Sequence, residues 1–300
     1  MRFHMISVNG GPSEMIGQAD DGKMYHLDAL YRRAADSAVT IRSEQVTIDS
    51  LLRSNDPMMA AKWMAERLGE TPEVDPKSDL SWDVPVRQGD LICVGRNYVA
   101  HARELGNETP GEPILFMKPR ASLLPHGGTI LLPTDSERVD YEGELALVIG
   151  RNLAGDVTEE EARRSIFGMT LVNDVTDRAA QNRLKEAGKP WTTAKGRHTF
   201  CPMGPSIRTL LYEDDLVEFS IQTKVDGELC QQGDPSLWLF SAVDLIQYIA
   251  RTFGLHQGDI IATGTPEGVG PLRDGNRVEV SSPAIGILRN PVRSAPGVVG

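Results

Sequence analysis

The chain has 300 residues, 40% hydrophobic and 24% charged, with a formal net charge of -11 at pH 7. That length supports one large domain plus a small one, and an acidic surface without a basic stripe excludes nucleic acid as a partner. Cys93, Cys201 and Cys230 lack CxxC spacing, and neither a signal peptide nor an apolar run of ~20 residues is evident, so no disulfide framework, cysteine zinc site or membrane partner is expected and the location reads as cytoplasmic.

The first 30 residues read as short strands, with Asp21-Gly22 as a hairpin turn between Ile16-Gly17-Gln18 and Met24-Tyr25-His26-Leu27. A short helix is predicted around Ser50 to Arg53. A clearer one follows Asp56, with Pro57 in its first turn, Gly69 after its end, and Ala60, Ala61, Met64 and Leu68 on one face. Pro72, Pro76 and Pro85 among charged residues read as a linker. It divides the chain into a small N-terminal domain over 1–82 and a larger one over 83–300.

Downstream, strands are predicted at Leu91 to Val94, Ile114 to Met117, Thr129 to Leu132, Leu145 to Ile149, Met169 to Val172, Val217 to Val225, Ile260 to Thr263 and Arg277 to Val280. A helix starts at the capping box Thr158 to Glu161 and ends before Gly168. Another spans Ala242 to Phe253, with Val243, Ile246, Ala250 and Phe253 as its apolar stripe. Many short strands with few helices predict a mainly β, α+β fold rather than a doubly wound sheet.

The most informative segment is Val139 to Ile149. Residues two apart on a strand point the same way, which places Glu142 and Glu144 on the face of Ala146 and Val148. Both faces are apolar beyond the acids, the pattern of a strand covered on two sides. Two carboxylates at its mouth repel each other unless a cation pairs with them, and a hard divalent cation suits oxygen ligands. An exposed strand end with solvated acids has the same Glu-x-Glu spacing. A second apolar run, Gly168 to Val172, ends in Asn173-Asp174, where an acid serves equally as ligand or turn residue.

Taken with their neighbours, these residues resemble the fumarylacetoacetate hydrolase family. The matching stretches are Cys93 to Tyr98 with His101 and Glu104, Phe116 to Pro119, Asp140 to Leu145, Val172 to Thr176, Lys195-Gly196, Phe200 to Pro202, Gly204-Pro205, and Gly258 to Ile261 with Thr263 to Gly270. The resemblance covers roughly 88–282 and implies a mixed β-sandwich roll, a small N-terminal α+β domain before it, and a homodimer. It also implies a Mg²⁺ or Mn²⁺ ion held by Glu142, Glu144 and Asp174. Some larger members add an aspartate ligand near the position of Asn97, and that acid is absent here.

The resemblance further implies roles for other residues. His101 and Glu104, three apart, share a face if Ala100 to Leu105 is helical, and look like a water-activating dyad. Lys195 stands beside the substrate, where an ammonium stabilises charge growing on oxygen. Arg178, Gln181 and Thr265 match substrate-contacting positions. Thr265 lies in a Gly-rich turn that lacks the GK[ST] ending of a phosphate loop. Arg197-His198 departs from the aromatic and acid that relatives often carry after Lys-Gly. His126 and His256 read as structural or surface residues.

The implied activity is cleavage of a carbon–carbon bond in an acylpyruvate-like β-dicarbonyl acid, a small oxo-acid substrate. Oxaloacetate-type decarboxylation and 2-hydroxyhepta-2,4-dienedioate-type isomerisation pass through the same enolate, and the motif does not choose among them. A reading of another class is a non-catalytic oxo-acid binder.

Overall fold

The computed structural model describes residues 1–36, 46–104, 109–210, 216 and 219–296, with residues 35, 36, 102 and 103 described by their backbone alone. The chain opens with β1 (Arg2–Val8), β2 (Ser13–Gln18) and β3 (Met24–His26), then α1 (Asp28–Asp36), α2 (Ile48–Leu52) and α3 (Pro57–Ala65). The Asp21-Gly22 hairpin forms, with Gln18 opposite Met24. Asp56 caps α3, its Oδ1 accepting from Met59 N at 3.0 Å. The helix ends at Ala65 rather than running to Gly69. Its last turn tightens through Arg67 N→Met64 O (3.0 Å), and a 3-10 turn over Leu68–Glu70 keeps Leu68 buried without extending the helix.

The Pro-rich stretch carries a paired strand, β4 (Leu80–Trp82), laid antiparallel on β1. Next come β5 (Leu91–Gly95), α4 (Val99–Glu104), β6 (Ile114–Lys118), β7 (Leu123–Leu124), β8 (Ile130–Leu132), β9 (Val139–Tyr141) and β10 (Gly143–Ile149). They are followed by α5 (Glu159–Ser165), β11 (Ile166–Asn173), β12 (Thr176–Asp177), α6 (Arg178–Glu186), α7 (Thr192–Lys195) and β13 (Cys201–Thr209). The last elements are β14 (Ile221–Val225), β15 (Glu228–Gly233), α8 (Ala242–Thr252), β16 (Ile260–Ala262), β17 (Gly270–Pro271), β18 (Arg277–Ser282) and β19 (Gly286–Ser294). The predicted Thr158 capping box forms in both directions. Leu105, and part of the strand predicted over Val217 to Val225, lie outside the described residues.

The fold is α+β, as expected. The largest sheet runs β3-β2-β1-β13-β11-β10-β16-β5-β6, with β4 on β1 and β7 on β13. A five-stranded sheet, β15-β14-β18-β19-β8, and a three-stranded one, β12-β9-β17, complete it. The central strand β10 is buried along its whole length. Ala146 and Val148 pack with Phe3, Met64 and Phe167 in the core under α2 and α3. Leu145, Leu147 and Ile149 pack with Leu245, Ile246 and Val280 in the core under α8 and β18. Burial on both faces explains the double-sided apolar pattern, and each such Leu or Ile contributes about 1.5–3 kcal/mol.

His4 ties β1 to the main body, its Nδ1 3.2 Å from Pro205 O and its Nε2 3.1 Å from Gln18 Oε1. Burial pushes its pKa down to about 4 despite those acceptors. The folded pKa lies below the unfolded one, so His4's contribution is whole above about 6.5 and is lost as pH falls toward 4. Urea titrations should show about 3 kcal/mol of stability lost across that window. His4→Gln should remove this loss, and an unchanged pH profile in that variant would refute the assignment.

Candidate active site

The antiparallel register of β10 and β11 sets Gly143 opposite Asn173 and Glu144 opposite Val172. The ends of the two most buried strands therefore carry acids to the same place. The extended chain breaks at Glu142, where β9 of the three-stranded sheet passes into β10 of the central sheet. Two bonds lock that corner: Asp174 N→Glu142 O (2.8 Å) and Glu142 N→Asn173 Oδ1 (3.0 Å). One oxygen each from Glu142, Glu144 and Asp174 lies within 4.8 Å of the others, and all three residues are buried.

Two glycines make this approach possible. A Cβ on Gly143 would strike the Thr223 hydroxyl and come within 3.2 Å of Val280, so the five-stranded sheet closes directly on the acid strand. Gly264 has φ +95°, a left-handed conformation that aims its N–H at Glu144 Oε2, 2.9 Å away.

The three acids are not equally supported. Lys195 Nζ lies 2.7 Å from Glu142 Oε2 and 2.5 Å from Asp174 Oδ2. Lys118 Nζ lies 2.8 Å from Asp174 Oδ1, and Arg178 donates a short bond to Glu142 Oε1. Burial alone would push Glu142 up, but Lys195 and Arg178 outweigh it and hold the carboxyl well below the usual range. Glu144 has the Gly264 N–H and no ion pair among the described residues. Burial first, then Asp174 and Glu142, push it well above the usual range. An acid left uncompensated among two others is the electrostatic signature of a site suited to one more cation.

The cavity over these acids has about 30 Å³ of free space, and His101, Arg178, Gln181, Lys195 and Thr265 line it. All the residues given a catalytic, substrate or metal role in the sequence except Glu104 thus line one space. Glu104 stands behind His101, its Oε2 3.2 Å from His101 Nδ1, while its Oε1 accepts from Gly268 N at 3.0 Å. A carboxylate on Nδ1 holds that nitrogen's proton and leaves Nε2 as the basic nitrogen.

Arg178 is engaged by the chain itself. It donates to Asp140 Oδ2 (2.8 Å) and to Gln181 Oε1 (2.6 Å) besides Glu142. Thr265 donates to Gly143 O (2.9 Å) and accepts from Gln231 Nε2 (2.7 Å). Asn97, at the position of the missing aspartate, braces the loop before α8: it donates to Thr263 O (2.9 Å) and accepts from Phe240 N (2.8 Å). Arg197 pairs with Asp135 and Asp177, each at 2.8 Å, so it supports the N-cap of α6.

Sequence reasoning gave no role to Lys118, Arg96, Asp140 or Lys185. Lys118 and Arg96 sit in quoted stretches without a named task. Lys185 was invisible because α6 was not predicted: its inward face is Arg178, Gln181 and Lys185, which has helical spacing but no apolar stripe.

Comparisons with known proteins place the chain among relatives of one family. The family model described as Fumarylacetoacetate (FAA) hydrolase C-terminal matches residues 90–293. The chain is 44% identical to a mitochondrial oxaloacetate tautomerase of Arabidopsis thaliana over 63% of its own length and 83% of that protein. The structure of a 5-carboxymethyl-2-hydroxymuconate delta-isomerase from Mycobacterium smegmatis is similar at TM-score 0.73 and 30% identity, over 99% of this chain and all of that one. A fumarylpyruvate hydrolase from Pseudomonas aeruginosa in complex with Mn²⁺ and pyruvate is similar at TM-score 0.64 and 34% identity, over 71% of this chain and 91% of that one.

Proposed function

This chain belongs to the fumarylacetoacetate hydrolase family, and we propose that it is a divalent-metal-dependent enzyme that cleaves a carbon–carbon bond in a small acylpyruvate-like β-dicarbonyl acid. One observation carries the reading: His101, braced by Glu104, shares a cavity with the three clustered acids. Glu142, Glu144 and Asp174 are hard oxygen donors, and one more cation would stabilise the anionic form of Glu144, which has no ion pair among the described residues, so the residues fit Mg²⁺ or Mn²⁺. Bound there, such an ion supplies Lewis-acid polarisation of the substrate's 2-oxo group.

The chain's own residues do the rest. His101 Nε2 takes a proton from water, whose oxygen attacks the distal carbonyl, and Glu104 stabilises the imidazolium through Nδ1. The Lys195 ammonium stabilises the negative charge that develops on substrate oxygen. The bond between the attacked carbon and its neighbour then breaks, its electron pair stays on the pyruvate fragment, and His101 returns the proton.

A second reading, tautomerisation of oxaloacetate, is favoured by the name of the Arabidopsis relative; like decarboxylation of the same acid, it needs no water. An ultraviolet assay of acetylpyruvate and oxaloacetate, run separately with Mg²⁺ or Mn²⁺ and with chelator, decides between them. Hydrolysis predicts chelator-sensitive loss of acetylpyruvate, reduced about 10²–10⁴-fold by His101→Ala. Loss of oxaloacetate alone moves the reaction to the second reading. A tight oxalate complex without turnover of either acid makes the protein a non-catalytic binder.

A further inference from the structure

Gly143 lies between two of the clustered acids and has no side chain to hold it in place. On one edge of β10 it stands opposite Asn173 of β11. On the other edge β16 pairs with β10 only from Ala146 to Val148, so the ladder stops short of Gly143. A buried N–H and C=O need partners there all the same. Side chains supply them: Gly143 N donates to Gln231 Oε1 (3.0 Å), and the Thr265 hydroxyl donates to Gly143 O (2.9 Å).

Gln231 closes the ring. It is buried on β15 opposite Thr223, the residue whose hydroxyl leaves no room for a Cβ on Gly143. Its amide nitrogen donates to Thr265 Oγ1 (2.7 Å) and to Pro266 O (2.8 Å), which uses both of its protons. The two side chains that hold Gly143 therefore hold each other. The same clamp seats the Gly-rich turn. Gly264, just before Thr265, donates its N–H to Glu144, and Gly268, two residues after Pro266, donates its N–H to Glu104. A Cβ on Gly268 would strike the carbonyl of Cys230, the residue before Gln231, so the turn rests directly on the backbone of β15.

We propose that Gln231 is a positioning residue for the metal site: it fixes the Gly143 peptide and the Gly264 N–H, and through them the spacing of Glu142 and Glu144. The proposal rests on the metal-site reading above. Among the described residues Gln231 makes no hydrogen bond to any of the three acids, so its effect reaches the ion through the backbone. The position calls for one acceptor and two donors in a single planar group. An amide provides them, whereas a carboxylate lacks the donors and would add a fourth negative charge.

Mn²⁺ titration calorimetry on the full chain tests this, with scanning calorimetry of the chelator-treated proteins alongside. Gln231→Met keeps the stem and removes all three bonds. Thr265→Val removes the hydroxyl at nearly constant shape, and Thr265→Ser keeps it. Gln231→Met and Thr265→Val should each bind Mn²⁺ about 10- to 100-fold more weakly, the usual cost of losing a group that orients a ligand. Thr265→Ser should bind close to the unaltered protein. A ring breaks only once, so the double variant Gln231→Met with Thr265→Val should lose little more than either single one. Unchanged Mn²⁺ affinity in Gln231→Met, even with a lower melting temperature, would make the residue structural and overturn the proposal. Fully additive losses in the double variant would overturn the ring. If Gln231→Met does not fold, equal affinity in Thr265→Val and Thr265→Ser overturns it instead. Failure of the metal-site reading looks different and takes this proposal with it: the unaltered protein would bind no Mn²⁺, or Glu144→Gln would bind it equally tightly.

Discussion

Glu144→Gln should abolish divalent-metal binding and at the same time make the metal-free protein more stable. Of the three acids, Glu142 and Asp174 are neutralised by Lys195, Lys118 and Arg178, while Glu144 meets only the Gly264 N–H and two like charges. A glutamine there still accepts from Gly264 N and removes the repulsion. The metal-free protein should gain roughly 0.5–2 kcal/mol, the usual size of relief at a site strained for function. Metal affinity should fall at least ~100-fold, since losing even a group that supports a ligand costs 10- to 100-fold.

Glu142→Gln provides the contrast. It too loses a ligand, but it strips the counter-charge from Lys195 and Arg178, so the metal-free protein should lose about 3–5 kcal/mol. Scanning calorimetry of chelator-treated proteins, with Mn²⁺ titrations alongside, separates the two variants. Unchanged Mn²⁺ affinity in Glu144→Gln would sink the ligand assignment. A destabilised metal-free Glu144→Gln would sink the view that this acid stands uncompensated.

The strand carrying Glu142 and Glu144 was legible because its apolar residues alternate between two cores, and period-2 spacing fixes which acids share a face. The Thr158 capping box and the Asp21-Gly22 hairpin were legible because their signals are local. The strand β13 was not, since Pro202, Gly204 and Pro205 read as punctuation although the strand lies inside the largest sheet. Lys118 was hidden for a related reason. Its spacing from Asp174 is 56 positions of sequence, and only the pairing of β5 with β6 at one side and the turn after β11 at the other bring them together. Patterns along the chain reveal faces, whereas a buried charge network depends on which faces meet.

Lys118→Met should destabilise the protein about as much as Glu142→Gln. The Lys118 ammonium lies 2.8 Å from Asp174 Oδ1, with both side chains at or below 1% exposure. It also donates to Val175 O (3.1 Å), to Phe200 O (2.8 Å) and, through a short bond, to Lys195 O. One group therefore joins β6 to the turn after β11, the end of α7 and the entry to β13. Methionine fills the stem's space and supplies no donor, leaving a carboxylate and three carbonyls short of a partner.

Removing one partner of a buried pair costs about 3–5 kcal/mol. At about 2–4 °C per kcal/mol for a chain somewhat smaller than this one, the melting temperature should fall by roughly 10 °C. Mn²⁺ should return only part of that loss, because an ion on Asp174 answers the carboxylate but not the carbonyls. Calorimetry of metal-free and Mn²⁺-loaded Lys118→Met therefore divides the cost. Full rescue by Mn²⁺ would assign Lys118 to charge compensation alone, and no loss in either state would show that the three segments hold together without it.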